Sequence, residues 1–221
     1  MNPDYENLID SLIKDGYLKT PEIIEAFKAI DRADFVPEEY KNDAYVNAPL
    51  SIGFGQTISQ PLTVAFMLEL LEQKRGEKIL DVGAGSGWTT AILAHIADAH
   101  REPVESMEVR LPYILAVERI AELKEYAEQN VAKYNFIEKG IVKIIRADGS
   151  RGYSKAAPYD KIIAGAASQT DVPPVWRKQL KIGGRIVAPV GQSIVQIDKI
   201  AKNQYTQKEY FGFSFVPLVK G

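Results

Sequence analysis

The sequence predicts an α/β protein, an open and mostly parallel β-sheet with helices on both faces. Three observations predict it. Short apolar runs alternate with longer amphipathic stretches between residues 78 and 181, the pattern of strands joined by crossover helices. A glycine-rich segment, LDVGAGSGW (80–88), stands between the first apolar run and the first amphipathic stretch. Acids stand at the ends of three successive runs, at Asp81, Glu118 and Asp148.

The elements follow in order. The opening fifty residues read as helical. Leu8, Ile9, Leu12 and Ile13 fall on one helical face, which is core packing. Thr20 before Pro21 has the form of an N-cap with proline at the first helical position. Ile23, Ile24, Phe27 and Ile30 continue the apolar stripe. SIGFGQTISQP (51–61) carries no apolar period, and Pro61 starts another helix through Leu71. KILDV (78–82) is the first strand, and a helix runs from about Trp88 to Ala97. ILAVE (114–118) is the second strand, followed by the helix IAELKEYAEQNVAKY (120–134). IVKIIRA (141–147) and YDKIIAG (159–165) are the third and fourth strands. PPVWRKQLK (173–181) reads as a helix ended by Gly183 and Gly184. RIVAPV (185–190) and IVQIDKIA (194–201) read as a hairpin around Gly191-Gln192-Ser193. YFGFSFVPL (210–218) reads as a last strand. The closing strands, joined by short turns, predict antiparallel pairing.

Composition narrows the function. The 221 residues are 46% hydrophobic and 25% charged, which suits one globular domain with a full core. Net charge is -2 and no basic stretch stands out, so nucleic-acid binding has no support. There is no cysteine, which excludes disulfides, thiolate zinc sites and cysteine nucleophiles. His95 and His100 are the only histidines, too few for a histidine metal cluster, and no metal site is expected. The acidic start, MNPDYENLIDSLIKDG, has no signal-peptide core, and no apolar run approaches ~18 residues. A cytoplasmic protein without a membrane span is expected.

The glycine segment carries the strongest local signal. Gly83, Gly85 and Gly87, with Ala84 and Ser86 between them, let backbone approach a ligand at a helix N-terminus. The spacing is G-x-G-x-G, not the G-x-G-x-x-G that favours pyrophosphate. Asp81 would repel a pyrophosphate but suits a cationic ligand, which points to S-adenosylmethionine rather than a dinucleotide. Glu118 can accept from both ribose hydroxyls. Asp148 can accept from the adenine amino group, with Gly149 allowing close approach. Glu118 lies 31 residues past Gly87, more than a helix and a return loop need. Residues 98–113 therefore read as an insertion, a solvated loop. The residues alone point to an adenosyl ligand and leave open an O-methyltransferase for a dedicated peptide or small acid and a non-catalytic adenosyl-binding module. A nicotinamide dehydrogenase is disfavoured by the glycine spacing.

On these motifs the chain resembles the protein-L-isoaspartate (D-aspartate) O-methyltransferases over nearly its whole length. GFGQTISQP is similar to that family's signature ahead of the domain core, the most discriminating of the matches. LDVGAGSGWTTAILAH matches its cofactor loop, AVERIAEL its ribose segment and RADGSRGY its adenine segment. PYDKIIAGAA, LKIGGRIVAPVG and FVPLVKG match its later strands. The resemblance implies a Rossmann-like class I S-adenosylmethionine-dependent methyltransferase sheet, with an N-terminal helical lid and antiparallel C-terminal strands. It implies a single methyltransferase domain over 1–221. Residues 1–72 would form the helical subdomain and active-site loop, and 73–221 the core. It implies methylation of the free carboxylate of L-isoaspartyl residues in damaged proteins and peptides, starting repair through methyl ester and succinimide. Ser59 is implied as the catalytic residue. Thr57, Ile58, Gln60, Asp81, Gly83, Ala84, Gly85, Ser86, Glu118, Arg119, Asp148 and Gly149 are implied as contacts of S-adenosylmethionine and its product S-adenosylhomocysteine. A monomer is expected. The chain departs from relatives at the insertion, at Leu62-Thr63, at Ser168-Gln169-Thr170 and in its tail, where FVPLVKG is the last stretch of the sequence.

The acceptor chemistry accounts for SIGFGQTISQP. A main-chain-type carboxylate has a pKa of roughly 3.3–3.7 and is ionised near pH 7, so no strong base is needed. What remains is alignment of an oxygen with a methyl carbon, shielded from water. A hydroxyl and backbone amides on a glycine-flanked loop supply that.

Overall fold

The computed structural model describes residues 1–74, 76–99 and 113–219. The expected insertion therefore lies almost wholly outside the described residues, as does His100.

The N-terminal part is helical, as its apolar stripe predicts. Helix α1 (Pro3–Lys14) is capped by Asn2, whose side chain accepts from the Asp4 amide at 2.9 Å, and it buries Tyr5, Leu8, Ile9 and Leu12. Helix α2 (Pro21–Ala29) starts after Thr20. That threonine occupies the N-cap position without capping: its hydroxyl donates to Glu69 at 2.7 Å instead. Two 3-10 turns, Arg32–Phe35 and Glu38–Asp43, replace helix in the rest of the first fifty residues.

SIGFGQTISQP folds as a small hairpin. Strands β1 (Leu50–Gly53) and β2 (Gln56–Ile58) pair antiparallel across Phe54-Gly55. Both turn residues have positive φ, 55° and 69°, the backbone a two-residue turn between twisted strands requires. Helix α3 (Pro61–Leu71) follows, with Gln60 rather than Ser59 at its N-cap and no side-chain cap bond.

The core sheet comprises β3 (Ile79–Val82), β4 (Ile114–Glu118), β5 (Val142–Arg146), β6 (Tyr159–Ala164), β7 (Leu180–Val190), β8 (Ser193–Ala201) and β9 (Gln204–Phe211). Their order is β5-β4-β3-β6-β7-β8-β9, parallel through β7 and antiparallel at β8 and β9. The chain leaves β3 toward β4 on one side and returns to β6 on the other. The carboxyl end of β3 is thus the topological switch point, where open α/β sheets bind ligands. Helices α4 (Trp88–Ala99), α5 (Ala121–Ala132) and α6 (Pro174–Gln179) connect β3 to β4, β4 to β5 and β6 to β7, and two 3-10 turns, Gly149–Arg151 and Ser154–Ala156, connect β5 to β6.

Burial explains the apolar runs. Ile79, Leu80, Asp81 and Val82 are all buried, as a central parallel strand requires. Successive residues feed opposite faces. Ile79, Ile114, Ala116 and Ile163 join a core with α1 to α5, and Leu80, Val82, Leu115 and Ile162 join a second core around Trp176.

Two boundaries differ from the sequence reading. Gly183 and Gly184 do not end a helix: α6 stops at Gln179 and β7 runs through both glycines. A Cβ on Gly184 would stand 2.7 Å from the Asp160 carbonyl, so glycine there serves close approach to β6. The last strand is Gln204–Phe211, not 210–218. Beyond Gly212 (φ 98°) the chain turns back across the sheet edge, and Pro217 bridges to Ala167.

Candidate active site

Three chain segments meet at the carboxyl edge of β3: the glycine turn, the ends of β4 and β5, and the β1–β2 hairpin. The glycine turn is fixed from behind. The amides of Gly83 and Ala84 donate to the Val117 carbonyl at 2.8 and 3.2 Å. From the hairpin, Ile52 reaches down onto the turn, where a Cβ on Gly85 would stand 3.3 Å from its Cδ1.

Each acid has a defined environment. Asp81 is buried, and its carboxylate accepts from the Thr90 hydroxyl at 2.6 Å. Desolvation pushes its pKa up to about 6, against the Thr90 hydrogen bond, which favours the ionised form. Glu118 is held by three backbone amides: Gly85 at 3.0 Å on one oxygen, Arg119 at 2.8 Å and Ile120 at 3.0 Å on the other. This clips the glycine turn to the end of β4. Asp148 accepts from the amide and hydroxyl of Ser150 at 2.9 and 2.7 Å, closing a 3-10 turn over Gly149–Arg151. Gly149 approaches the sheet so closely that a Cβ there would meet Val82 Cγ1 at 2.4 Å.

These residues border three contiguous clefts. An inner cleft of about 520 Å³, measured to its open mouth, is lined by Asp81, Gly83, Ala84, Gly85 and Ser86, with Ile58 and Ser59 facing them. An outer cleft of about 610 Å³ runs along the strand ends past Glu118, Arg119, Ile120 and Gly149. A groove of about 1070 Å³ lies across the hairpin, between Pro49, Gln60 and Thr63 on one side and Phe213–Val216 on the other. Thr57 and Gly165 border all three, Gly83 and Gly85 the first two, and Ser59 the inner cleft and the groove.

The structure thus brings together nearly all the residues singled out from sequence. Two are placed differently. Gln60 lines the groove and not the two clefts, and its amide donates to the Asn47 carbonyl at 3.0 Å. Asp148 lines none of the three spaces and supports the turn that presents Gly149.

Several site residues escaped the sequence reading. Val216–Val219 wall the outer cleft, tied to Ala167 by bonds of 2.8 Å from its amide to the Val216 carbonyl and from the Leu218 amide to its carbonyl. Thr90 orients Asp81 and is buried in the first turn of α4. Arg32 is fully buried and donates to the Ser59 carbonyl at 3.1 Å. Only the second threonine of GWTT was open to notice, because it begins a helix behind an acid. Arg32 reads as an ordinary surface charge, and the tail as a strand.

Known proteins match this arrangement. The family model for protein-L-isoaspartate (D-aspartate) O-methyltransferase matches residues 3–221. A protein-L-isoaspartate O-methyltransferase of Staphylothermus marinus is 38% identical over 99% of this chain and 97% of its own. One from Methanopyrus kandleri is 38% identical over 97% of this chain and 90% of its own. Among solved structures, a Plasmodium falciparum protein-L-isoaspartate O-methyltransferase in complex with S-adenosyl-L-homocysteine superposes with TM-score 0.83 over 100% of both chains, at 23% identity. Another protein-L-isoaspartate O-methyltransferase gives TM-score 0.79 over 96% of this chain and 65% of that one, at 25% identity. The conjunction of a clipped glycine turn, acids at strand ends, a hairpin carrying Ser59 and a family match over all but two residues places this chain in the protein-L-isoaspartate (D-aspartate) O-methyltransferase family.

Proposed function

We propose that the protein methylates the free carboxylate of L-isoaspartyl residues in damaged proteins and peptides, with S-adenosylmethionine as donor. One observation carries the reading: two clefts lined as an adenosyl ligand requires adjoin an open groove of about 1070 Å³, and Ser59 borders both the inner cleft and that groove. The residues present fit that ligand. Asp81 is a buried carboxylate whose one hydrogen bond among the described residues comes from Thr90, which suits a cationic group. Glu118 and the close-packed Gly149 suit a ribose and an adenine along the outer cleft.

S-Adenosylmethionine supplies a methyl carbon on a positively charged sulfur, a leaving group that needs no further activation. The chain's own residues have the simpler tasks of holding and aligning. No proton moves in the transfer, because the acceptor carboxylate is already ionised near neutral pH. One carboxylate oxygen forms a bond to the methyl carbon as the carbon–sulfur bond breaks, leaving a methyl ester and a thioether. Ser59 can donate to the second carboxylate oxygen and fix the first in line. Ile58, Val64 and Met67 line the inner cleft beside it and exclude water. His95 lines none of the three spaces, in keeping with a reaction that needs no strong base.

We read the chain as one domain, with residues 1–72 closing over the 73–221 core and a complete site within a single copy. A monomer in the cytoplasm fits that reading and the lack of cysteine. Among the described residues no helix is long and apolar enough to cross a membrane.

The test is methyl transfer from labelled S-adenosylmethionine to two peptides that differ only in L-isoaspartate against L-aspartate. Base-labile label on the isoaspartyl peptide alone is expected. No label on either, with cofactor still bound, would reject the reading.

A further inference from the structure

One wall of the groove is assembled from two pieces of chain, the segment before Pro49 and the hairpin exit at Ser59–Gln60, and one buried side chain ties them together. Arg32 sits on the 3-10 turn Arg32–Phe35. Asp31 caps that turn through the Ala33 amide at 2.9 Å and takes the Tyr45 hydroxyl at 3.1 Å, which fixes the direction Arg32 leaves it. The guanidinium is fully buried and lies 5.4 Å from the centre of the Trp88 ring.

Its hydrogen bonds go to backbone. One terminal nitrogen donates to the carbonyls of Ala44 and Val46 at 2.6 and 3.3 Å. The other donates to the carbonyls of Ala48 and Ser59 at 2.9 and 3.1 Å. Among the described residues no carboxylate pairs with it, and burial pushes its pKa down to about 10. A buried cation without a counter-ion is unfavourable, and an apolar side chain of the same volume would often be more stable. The charge is therefore poorly explained by stability. What a guanidinium offers that an apolar chain cannot is a rigid planar fork of donors.

The fork joins two particular pieces of chain. The 44–48 segment leads directly into Pro49, and Ser59 leads into Gln60, which stands beside Pro49 on the same side of the groove. A second tie closes the same junction from the outside. The Asn47 carbonyl accepts from the Gln60 side chain at 3.0 Å, and the Asn47 side chain accepts from the Leu62 amide at 3.0 Å.

We infer that Arg32 is a positioning residue for methyl transfer: with Asn47 it clasps the 44–48 segment to the Ser59 backbone and so sets where the Ser59 hydroxyl stands in the groove. The inference rests on the reading of Ser59 given above. Misplacement of an aligning group by about 1 Å is enough to cost roughly a hundredfold in rate, and Arg32 acts at that range.

The experiment compares Arg32→Lys, Asn47→Ala, Ser59→Ala and the double variant Arg32→Lys/Ser59→Ala. It reads kcat and KM on an isoaspartyl peptide and the calorimetric Kd for S-adenosylhomocysteine. Lysine keeps the charge but offers a point donor in place of the fork. Arg32→Lys is expected to lower kcat roughly ten- to a hundredfold, with Kd changed less than about threefold. Asn47→Ala should lower kcat in the same direction by less. In the Ser59→Ala background Arg32→Lys should have little further effect, because coupled groups are non-additive. Unchanged kcat in Arg32→Lys, equal losses in kcat and Kd, or a full multiplicative effect on top of Ser59→Ala would each overturn the clasp. Full turnover by Ser59→Ala itself would instead remove the reading of Ser59 on which the clasp depends. If Arg32→Lys does not fold, exposed Asn47 carries the test, and unchanged kcat in Asn47→Ala overturns the inference.

Discussion

Asp81 and Arg32 are both buried charges near the cofactor cleft, and they call for opposite partners. The two terminal nitrogens of Arg32 are satisfied by carbonyls within the chain, while its buried Nε has no partner among the described residues. Asp81 has one hydroxyl, and burial raises its pKa to about 6. The sign of the consequence follows from linkage. An ordinary unfolded aspartate titrates near 4, so between about pH 4 and 6 the folded chain holds a proton that the unfolded chain has released. This group's contribution to stability therefore declines as pH rises through that window. A cationic ligand binds the ionised form, so ligand affinity has the opposite trend. S-Adenosylmethionine should bind well at pH 7.5 and progressively less well below about pH 6. Asp81→Asn should weaken binding at pH 7.5 by about ten- to a hundredfold, the range for a hydrogen bond to a charged group, and remove most of that pH dependence. Calorimetric titrations at pH 7.5 and 5.0 on both proteins decide it. A wild-type affinity that does not change with pH would exclude Asp81 from contact with the cation.

At the scale of elements, the tail strap is the feature with most effect for least sequence signal. Val216–Val219 close the outer cleft, yet two backbone hydrogen bonds to Ala167 are what tie them to the sheet edge. A chain ended after Phe215 should fold, since the strands and the fully buried residues of both cores lie before it, and only the partly buried Leu218 of the removed described residues packs against the second core. It should bind S-adenosylhomocysteine roughly tenfold more weakly, for the loss of part of an apolar wall. Equal affinity would show that the strap only skirts the site. The contrast with the strands explains what was legible in the sequence. ILAVE and YDKIIAG are buried on both faces, and a short apolar run between turn residues reports that directly. The glycine turn and Asp81 were legible because they are neighbours in sequence, and Glu118 because it ends a short apolar run. The strap was misread as a strand because its partner, Ala167, lies 50 residues before Pro217 and carries no matching pattern. Arg32 was invisible for a related reason: its partners are carbonyl oxygens, which every residue type has.

Across the whole molecule the N-terminal helices and the sheet share one core, and that has a thermodynamic consequence. Phe27 of α2 packs edge-on against Trp88 of α4 at 5.5 Å, and both belong to the cluster that reaches from Tyr5 in α1 to Ile194 in β8. Trp176 lies on the other face of the sheet, in the second cluster, with its indole nitrogen donating to the Gly149 carbonyl at 2.9 Å. These are the chain's only tryptophans, one per core. If residues 1–72 were a separable cap, Trp88 would report its loss early and Trp176 would not. Because α2 packs on α4, and α3 on β6, β7 and β8, within the same cluster as β3 and β4, stripping residues 1–72 would expose the apolar side of α4 and part of one face of the sheet. Urea unfolding should therefore be a single event: Trp176→Phe, which reports Trp88, and Trp88→Phe, which reports Trp176, should each follow the helical circular dichroism of the same variant through one shared midpoint. Within Trp176→Phe, a fluorescence change that precedes the loss of helix and sheet signal would divide the molecule into a cap and a core, with Ser59 and its hairpin on the side that lets go first.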